Sequence, residues 1–180
     1  MADKAIAWMD VETTGIGSDD HHLLEIACLI TDWDLNFLED AGFQKEIYYS
    51  AADVVNLKTE TVPYVLEMHT KTGLWDRLPN GTPVSEVDAG LLEYLREYIP
   101  ESRTARLGGN SVSLDKDFIN AYLPDVGDYL HYRILDVSSI AGLGVKWYHK
   151  QYRKKNTHSA YDDIRESIAE LKFLRENIFK

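Results

Sequence analysis

Apolar positions fall along this chain in runs and periods that mark out its elements. Ala5 to Val11 reads A-I-A-W-M-D-V, a mostly apolar stretch that ends in acids and meets T-T-G. That pattern predicts a buried strand running into a turn. Leu23 to Thr31 (L-L-E-I-A-C-L-I-T) and Phe43 to Tyr49 predict two further strands, with hairpin-like connections joining the three. From Thr59 to Thr72 the period turns helical, and Gly73 is a natural stop. Thr82-Pro83 predicts a helix start, with Thr82 as cap, an apolar face of Val84, Val87, Leu91, Leu95 and Tyr98, and an end at Pro100. A short strand at Arg106 to Leu107 runs into Gly108-Gly109-Asn110, and a helix with Asp115, Phe118, Ile119 and Tyr122 at helical spacing follows. Tyr132 to Asp136 predicts another strand, Ser138 to Trp147 a helix, and Ser159 to Asn177 a last helix. The run A-G-L-G-V-K (Ala141 to Lys146) is glycine-rich, which predicts weakness in the helix that contains it.

Three early strands followed by alternating helix and strand predict an α/β fold, a mixed central sheet with its first three strands antiparallel and helices packed on it. The 180 residues point to one domain spanning 1–180, with no internal repeat or long linker. No apolar run approaches the ~18 residues that cross a bilayer, and the start M-A-D-K lacks the pattern of a signal or transit peptide. The single cysteine, Cys28, lies inside an apolar run, so the chain forms no internal disulfide; a core thiol in a reducing cytoplasm is the expectation.

Charge narrows the function. A protein that grips long nucleic acid needs a basic footprint, because phosphate contacts supply most of the affinity. This chain carries a formal net charge of −11. Long-duplex binding is therefore not expected. Either nucleic acid is not the partner, or the substrate is small and its phosphates are met by metal ions and a few local cations; an acidity that only serves solubility is the bland alternative.

The acids themselves show a pattern. D-V-E places Asp10 and Glu12 two residues apart on a strand, on the same face. Two carboxylates there repel unless a cation separates them, and a hard divalent ion with oxygen ligands is the usual solution; a merely solvated pair is the alternative. In T-H-S-A-Y-D-D-I, His158 and Asp163 stand about 140° apart on a regular helix, so they converge only if His158 lies at or before its first turn. Asp163 shares a column with Ala160, Ser167, Leu171 and Leu174, whereas Asp162 aligns with Arg165, Glu166 and Ala169; periodicity modestly favours Asp163 as the inward acid. Acids decorating a helix N-terminus for dipole reasons are the rival explanation of both. In G-N-S-V-S-L-D, Asp115 follows a glycine-rich strand end, and Asp117 lies about 200° away from it and cannot share its site.

D-V-E-T-T-G, the Asp115 segment and H-S-A-Y-D-D together resemble the DEDDh 3′-to-5′ exonucleases. G-N-S-V-S-L-D, H-Y-R-I-L-D-V-S-S (His131 to Ser139), D-D-I-R-E-S-I-A-E-L, L-L-E-I-A-C-L-I-T-D and M-H-T-K-T-G-L sharpen this to a resemblance to oligoribonucleases, in order and over nearly the whole chain. The resemblance implies a ribonuclease-H-like fold and two divalent metal ions, Mg²⁺ or Mn²⁺. Asp10, Glu12 and Asp163 would hold one ion, and Asp10 and Asp115 the second. His158 is implied as general base, and the activity as hydrolysis of very short RNA, dinucleotides above all, to nucleoside 5′-monophosphates. It further implies that Ser111, Arg133 and Ser138, with His69 nearby, cap a 5′ phosphate and that Ile16 packs on a base. Tyr132 would reach across a homodimer into the neighbouring site.

Some positions depart from that pattern. The first motif reads E-T-T-G-I where the family commonly has E-M-T-G-L. The T-T-G form is common in DNA-proofreading exonucleases, which makes such a relative the runner-up. Tyr64 is the nearest counterpart to an aromatic usually found before His69, and it is left outside the site. The stretch K-Q-Y-R-K-K (Lys150 to Lys155) reads as a guide for substrate or as a plain solvated loop. A dead dinucleotide-binding module is a rival from another class, and the five intact catalytic positions argue against it.

Overall fold

Alternation along the first strand sets the layers. In the computed structural model, which describes residues 5–153 and 159–179, β1 (Ala5–Thr13) points Ala5, Ala7 and Met9 into one core and Ile6 and Trp8 into another. By the same period of two, Asp10 and Glu12 continue the Ile6–Trp8 face. β2 (Leu23–Thr31) is buried along its whole length, as an apolar run between two strands should be. β3 (Phe43–Glu46), β4 (Ala105–Gly109) and β5 (His131–Asp136) complete the sheet among the described residues, in the order β3-β2-β1-β4-β5. β1, β2 and β3 pair antiparallel, while β4 pairs parallel with both β1 and β5. The mixed sheet with an antiparallel first half is the one the sequence predicts.

Helices close both faces. α1 (Ala51–Glu60), α2 (Pro63–Thr72) and α3 (Leu74–Arg77) gather Val54, Leu57, Leu74 and Trp75 around Leu24 at one end. α4 (Val84–Tyr98), α5 (Ser113–Tyr122) and α6 (Pro124–Tyr129) cover the Ala5–Ala7–Met9 face with Val87, Leu91, Leu95, Phe118, Ile119 and Val126. α7 (Val137–Tyr148) and α8 (Ala160–Asn177) cover the other, where Ile164, Ile168, Leu171 and Leu174 meet Ile6 and Trp8. The Trp8 indole stays satisfied in that core by donating to Thr31 Oγ1 at 2.8 Å. Cys28 is fully buried, as its apolar run predicts.

Four local expectations need correction. The helix expected over 59–72 is two helices: Ser50 and Asp53 form a capping box that starts the first at Ala51, and Pro63, which lacks an N–H, opens the second. The third strand stops at Glu46: Ile47 N still donates to Leu24 O at 2.8 Å, but Ile47 bridges Thr82 and the chain turns away from β2 beyond it. That bridge also removes Thr82 as a cap: its N–H donates to Glu46 O at 2.9 Å, its carbonyl accepts from Tyr48 N, and Pro83 takes the cap position. The glycine-rich Ala141–Lys146 stretch is an intact part of α7. Gly144 is buried there, and a Cβ on it would meet Ile178 Cδ1 at 2.6 Å and Leu174 Cδ2 at 3.1 Å. The glycine brings α7 and α8 close, and that packing outweighs its weak helix propensity.

Candidate active site

The two acids of D-V-E sit where β1 emerges from the sheet, with Asp10 opposite Ala27 and Glu12 opposite Glu25 on β2. They continue the face that α8 covers. Asp163, in the first turn of α8, arrives over them, so that Asp10, Glu12 and Asp163 each offer an oxygen within 4.8 Å of the others. Asp163 is half-buried and Asp162 exposed, the division that the helical column suggested.

Asp115 comes from the opposite side. Parallel pairing of β1 with β4 ends at Trp8 and Gly108, leaving the next stretch of β1 without a strand on that edge. Asp115, in the first turn of α5, takes the vacant place: its Oδ1 accepts from Val11 N at 3.0 Å, between the two acids of the motif. Asp115 is buried and Asp117 exposed.

Crowding four acids has an electrostatic cost. Burial pushes the Glu12 carboxyl up to about 8, with Glu25, Asp163 and Asp115 adding repulsion and Arg77 opposing it. Burial likewise pushes Asp115 up to about 7, against the backbone hydrogen bond from Val11. The counter-charge comes from Arg77, whose Nε donates to Glu46 Oε1 at 2.6 Å and whose guanidinium lies 3.6 Å from Glu25 Oε2. His69, buried, donates from Nε2 to Thr13 O at 2.9 Å and turns Nδ1 toward Glu12 Oε2 at 3.8 Å. Oxygen donors crowded until two hold protons near neutrality fit a hard divalent cation, which would replace those protons.

The remaining predicted residues divide into groups. Ile16 and Ser111 line one cleft of about 190 Å³ together with Asp10 and Asp115. Ser138 heads α7, and its Oγ accepts from Ser111 N at 3.1 Å, so these two hydroxyl residues adjoin. Tyr132 and Arg133 are exposed on β5, with the guanidinium carbon 5.3 Å from the centre of the Tyr132 ring. Neither lines the Asp10–Asp115 cleft; Tyr132 lines a separate cavity with Lys116 and His131. Tyr64 is exposed and also stands apart from that cleft. His158 lies outside the described residues, as do Lys154 and Lys155 of the basic stretch.

Sequence reading missed four participants. Glu25 and Arg77 lie 52 residues apart and carry no local signal. Asn110 Nδ2 donates to Ser167 Oγ at 2.7 Å and Glu170 Oε2 at 3.2 Å, fastening the end of β4 to α8, and Ser167 Oγ in turn donates to Asp163 O at 2.9 Å. The fourth, Asp136, accepts hydrogen bonds from Ser111, Ser138 and Ser139. D-V-S-S carried a readable cap signature there.

Comparison with known proteins agrees with this geometry. A family model described as an exonuclease, RNase_T, matches residues 7–171. The oligoribonuclease of Nocardia farcinica is 41% identical over 184 residues, covering 99% of this chain and 83% of its own. That of Streptomyces avermitilis is 42% identical, covering 99% and 88%. That of Francisella tularensis is 39% identical, covering 98% and 97%. Among solved structures, exonuclease I of Methylocaldum szegediense superposes with a TM-score of 0.72 at 14% identity, over 98% of this chain and 41% of its own. A zinc-bound complex of E. coli exonuclease I with single-stranded DNA gives a TM-score of 0.70 at 13% identity, with 98% and 41% covered. This chain thus spans about two fifths of those exonucleases, and the likeness to them is one of fold.

Proposed function

The chain belongs to the oligoribonuclease family of exonucleases, and from that premise we propose that it removes nucleoside 5′-monophosphates from the 3′ ends of very short RNAs, dinucleotides above all. The observation that carries the reading is the meeting of Asp10, Glu12 and Asp163, with Asp115 tied to Val11 N between them, beside a narrow cleft lined by Ile16 and Ser111. Residues 1–180 act in this reading as one exonuclease domain of the cytoplasm; no helix among the described residues is long and apolar enough to cross a membrane.

Asp10, Glu12, Asp115 and Asp163 hold two divalent ions, Mg²⁺ or Mn²⁺. When bound, these supply Lewis-acid activation of a water and neutralise charge at the leaving 3′ oxygen. His158 takes the proton from the attacking water, a task its ordinary pKa of ~6.5 suits near neutrality. Ile16 packs on a base, and Ser111, Ser138 and Arg133, with His69 nearby, hold the 5′ phosphate, Arg133 as a bidentate donor. Tyr132, exposed on β5, serves the neighbouring site of a homodimer. The net charge of −11 agrees with a substrate too short to need a basic groove.

The test is release of GMP from pGpG with Mg²⁺ or Mn²⁺, with and without chelator, beside 20-mer RNA and DNA. Metal-dependent turnover that is fastest on the dinucleotide is expected. A preference for long DNA would replace this reading with a proofreading one, and an absence of turnover with binding retained would leave a dinucleotide-binding module.

A further inference from the structure

The carboxylate of Asp136 lies at the end of β5, in register with Gly109 at the end of β4. It caps α7, accepting from Ser138 N at 3.2 Å, Ser138 Oγ at 2.6 Å and Ser139 Oγ at 2.6 Å. A cap alone requires nothing beyond α7. Yet Asp136 Oδ1 also reaches the loop after β4 and accepts from Ser111 N at 2.9 Å, 25 residues away. Ser111 needs that hold. Its φ is 52°, the left-handed region that side chains other than glycine enter at a cost of order 1 kcal/mol or more. Two residues on, the same loop enters α5, which carries Asp115.

We propose that Asp136 is a positioning residue for phosphate recognition: it holds the strained Ser111 against Ser138 at a fixed place beside the Asp115 helix. Asp136, together with the Ser138 Oγ that shares the Ser111 amide at 3.1 Å, thereby sets the separation of the 5′-phosphate hold from the carboxylates, and hence the length of substrate accepted. The assignment rests on the short-substrate reading above. Four donors converge on the carboxylate, so its charge is balanced locally and the group is not itself a phosphate ligand. Burial pushes this carboxyl up, but the hydrogen bonds from Ser138, Ser139 and Ser111 outweigh it and hold Asp136 below the usual carboxylate range.

Two substitutions separate the cross-loop tie from the helix cap. Asp136→Ser keeps a good cap for α7, but its side chain is too short to hold the Ser111 amide. Asp136→Asn keeps one acceptor oxygen for both tasks. Two measurements follow: kcat/KM on pGpG against 5′-hydroxyl GpG, and hydrogen exchange at the Ser111 amide in metal-free protein. For Asp136→Ser, the preference for the 5′-phosphorylated dinucleotide should fall about tenfold, chiefly through KM, with turnover of GpG retained. Exchange at Ser111 should quicken roughly 10- to 100-fold. Asp136→Asn should keep most of the preference. An unchanged preference in Asp136→Ser, or an equal loss on both substrates, overturns the assignment. If the unmodified enzyme does not distinguish the two dinucleotides, the phosphate hold itself is wrong and the role of Asp136 falls with it.

Discussion

Metal loading should expel protons from this site, and the number expelled follows from the burial of two carboxyls. Glu12 is pushed up to about 8 and Asp115 to about 7 in the metal-free protein. At pH 6 a group with a pKa near 8 is ~99% protonated and one near 7 is ~90% protonated, so ionising both for metal releases roughly two protons. At pH 9 the same groups are largely ionised and the release falls to about 0.1. Titration calorimetry with Mn²⁺ in buffers of differing ionisation enthalpy reads this directly: at pH 6 the apparent enthalpy should vary with buffer at a slope near two, and at pH 9 hardly at all. Apparent affinity should weaken up to ~100-fold per pH unit as pH falls below 7. Stability runs the other way. Both groups have folded values above their unfolded ones, so their contribution to the metal-free fold is fully present below the unfolded carboxyl range. It is lost as pH rises through about 7 and then about 8. Metal-free protein should therefore melt higher at pH 5 than at pH 8.5 as far as these groups decide it, and Glu12→Gln should remove about one proton from the pH 6 release. A buffer-independent enthalpy at pH 6 would refute the argument, since it would mean the acids are ionised before metal arrives.

Three further outcomes are expected. Asp163→Asn should cost at least ~100-fold in turnover and weaken Mn²⁺ binding in calorimetry, whereas Asp162→Asn, on the exposed side of α8, should change either by less than about twofold. Arg77→Met should lower stability to urea by about 1–2 kcal/mol, because it strips the counter-charge from the buried Glu25 while the partly exposed guanidinium keeps the loss below the ~3–5 of a fully buried pair. Gly142→Ala should raise stability by up to ~1 kcal/mol in thermal melts, since a Cβ there meets nothing within 4 Å and alanine favours the helix.

Where function was legible in sequence, the cause was local periodicity. Asp10 and Glu12 share a face because strands repeat every two residues, and Asp163 points inward because α8 shows a regular apolar column. β1 and β2 beneath them were equally readable, since each is a mostly apolar run, whereas the short third strand, F-Q-K-E, lacks such a run and its end was misplaced. Partners set by tertiary register were not readable. Glu25 faces Glu12 only through the pairing of β1 with β2, and Arg77 reaches Glu25 and Glu46 from the end of α3. Gly144 read as a defect because propensity is a property of one helix, whereas its use is a property of two. Thr82 failed as a cap for the same reason: its backbone was already engaged by Glu46 and Tyr48.

The acids that meet at this site are far apart along the chain. Asp10 and Glu12 belong to the first strand, Asp115 to a helix more than a hundred residues later, and Asp163 to the last helix described. During synthesis the hairpin of β1 and β2 has emerged long before α8 is made. A nascent chain at that stage carries two of the acids but lacks the third member of the Asp10–Glu12–Asp163 group. Docking of the last described helix thus completes the Asp10–Glu12–Asp163 group, so the three oxygen donors come together only once the fold has closed.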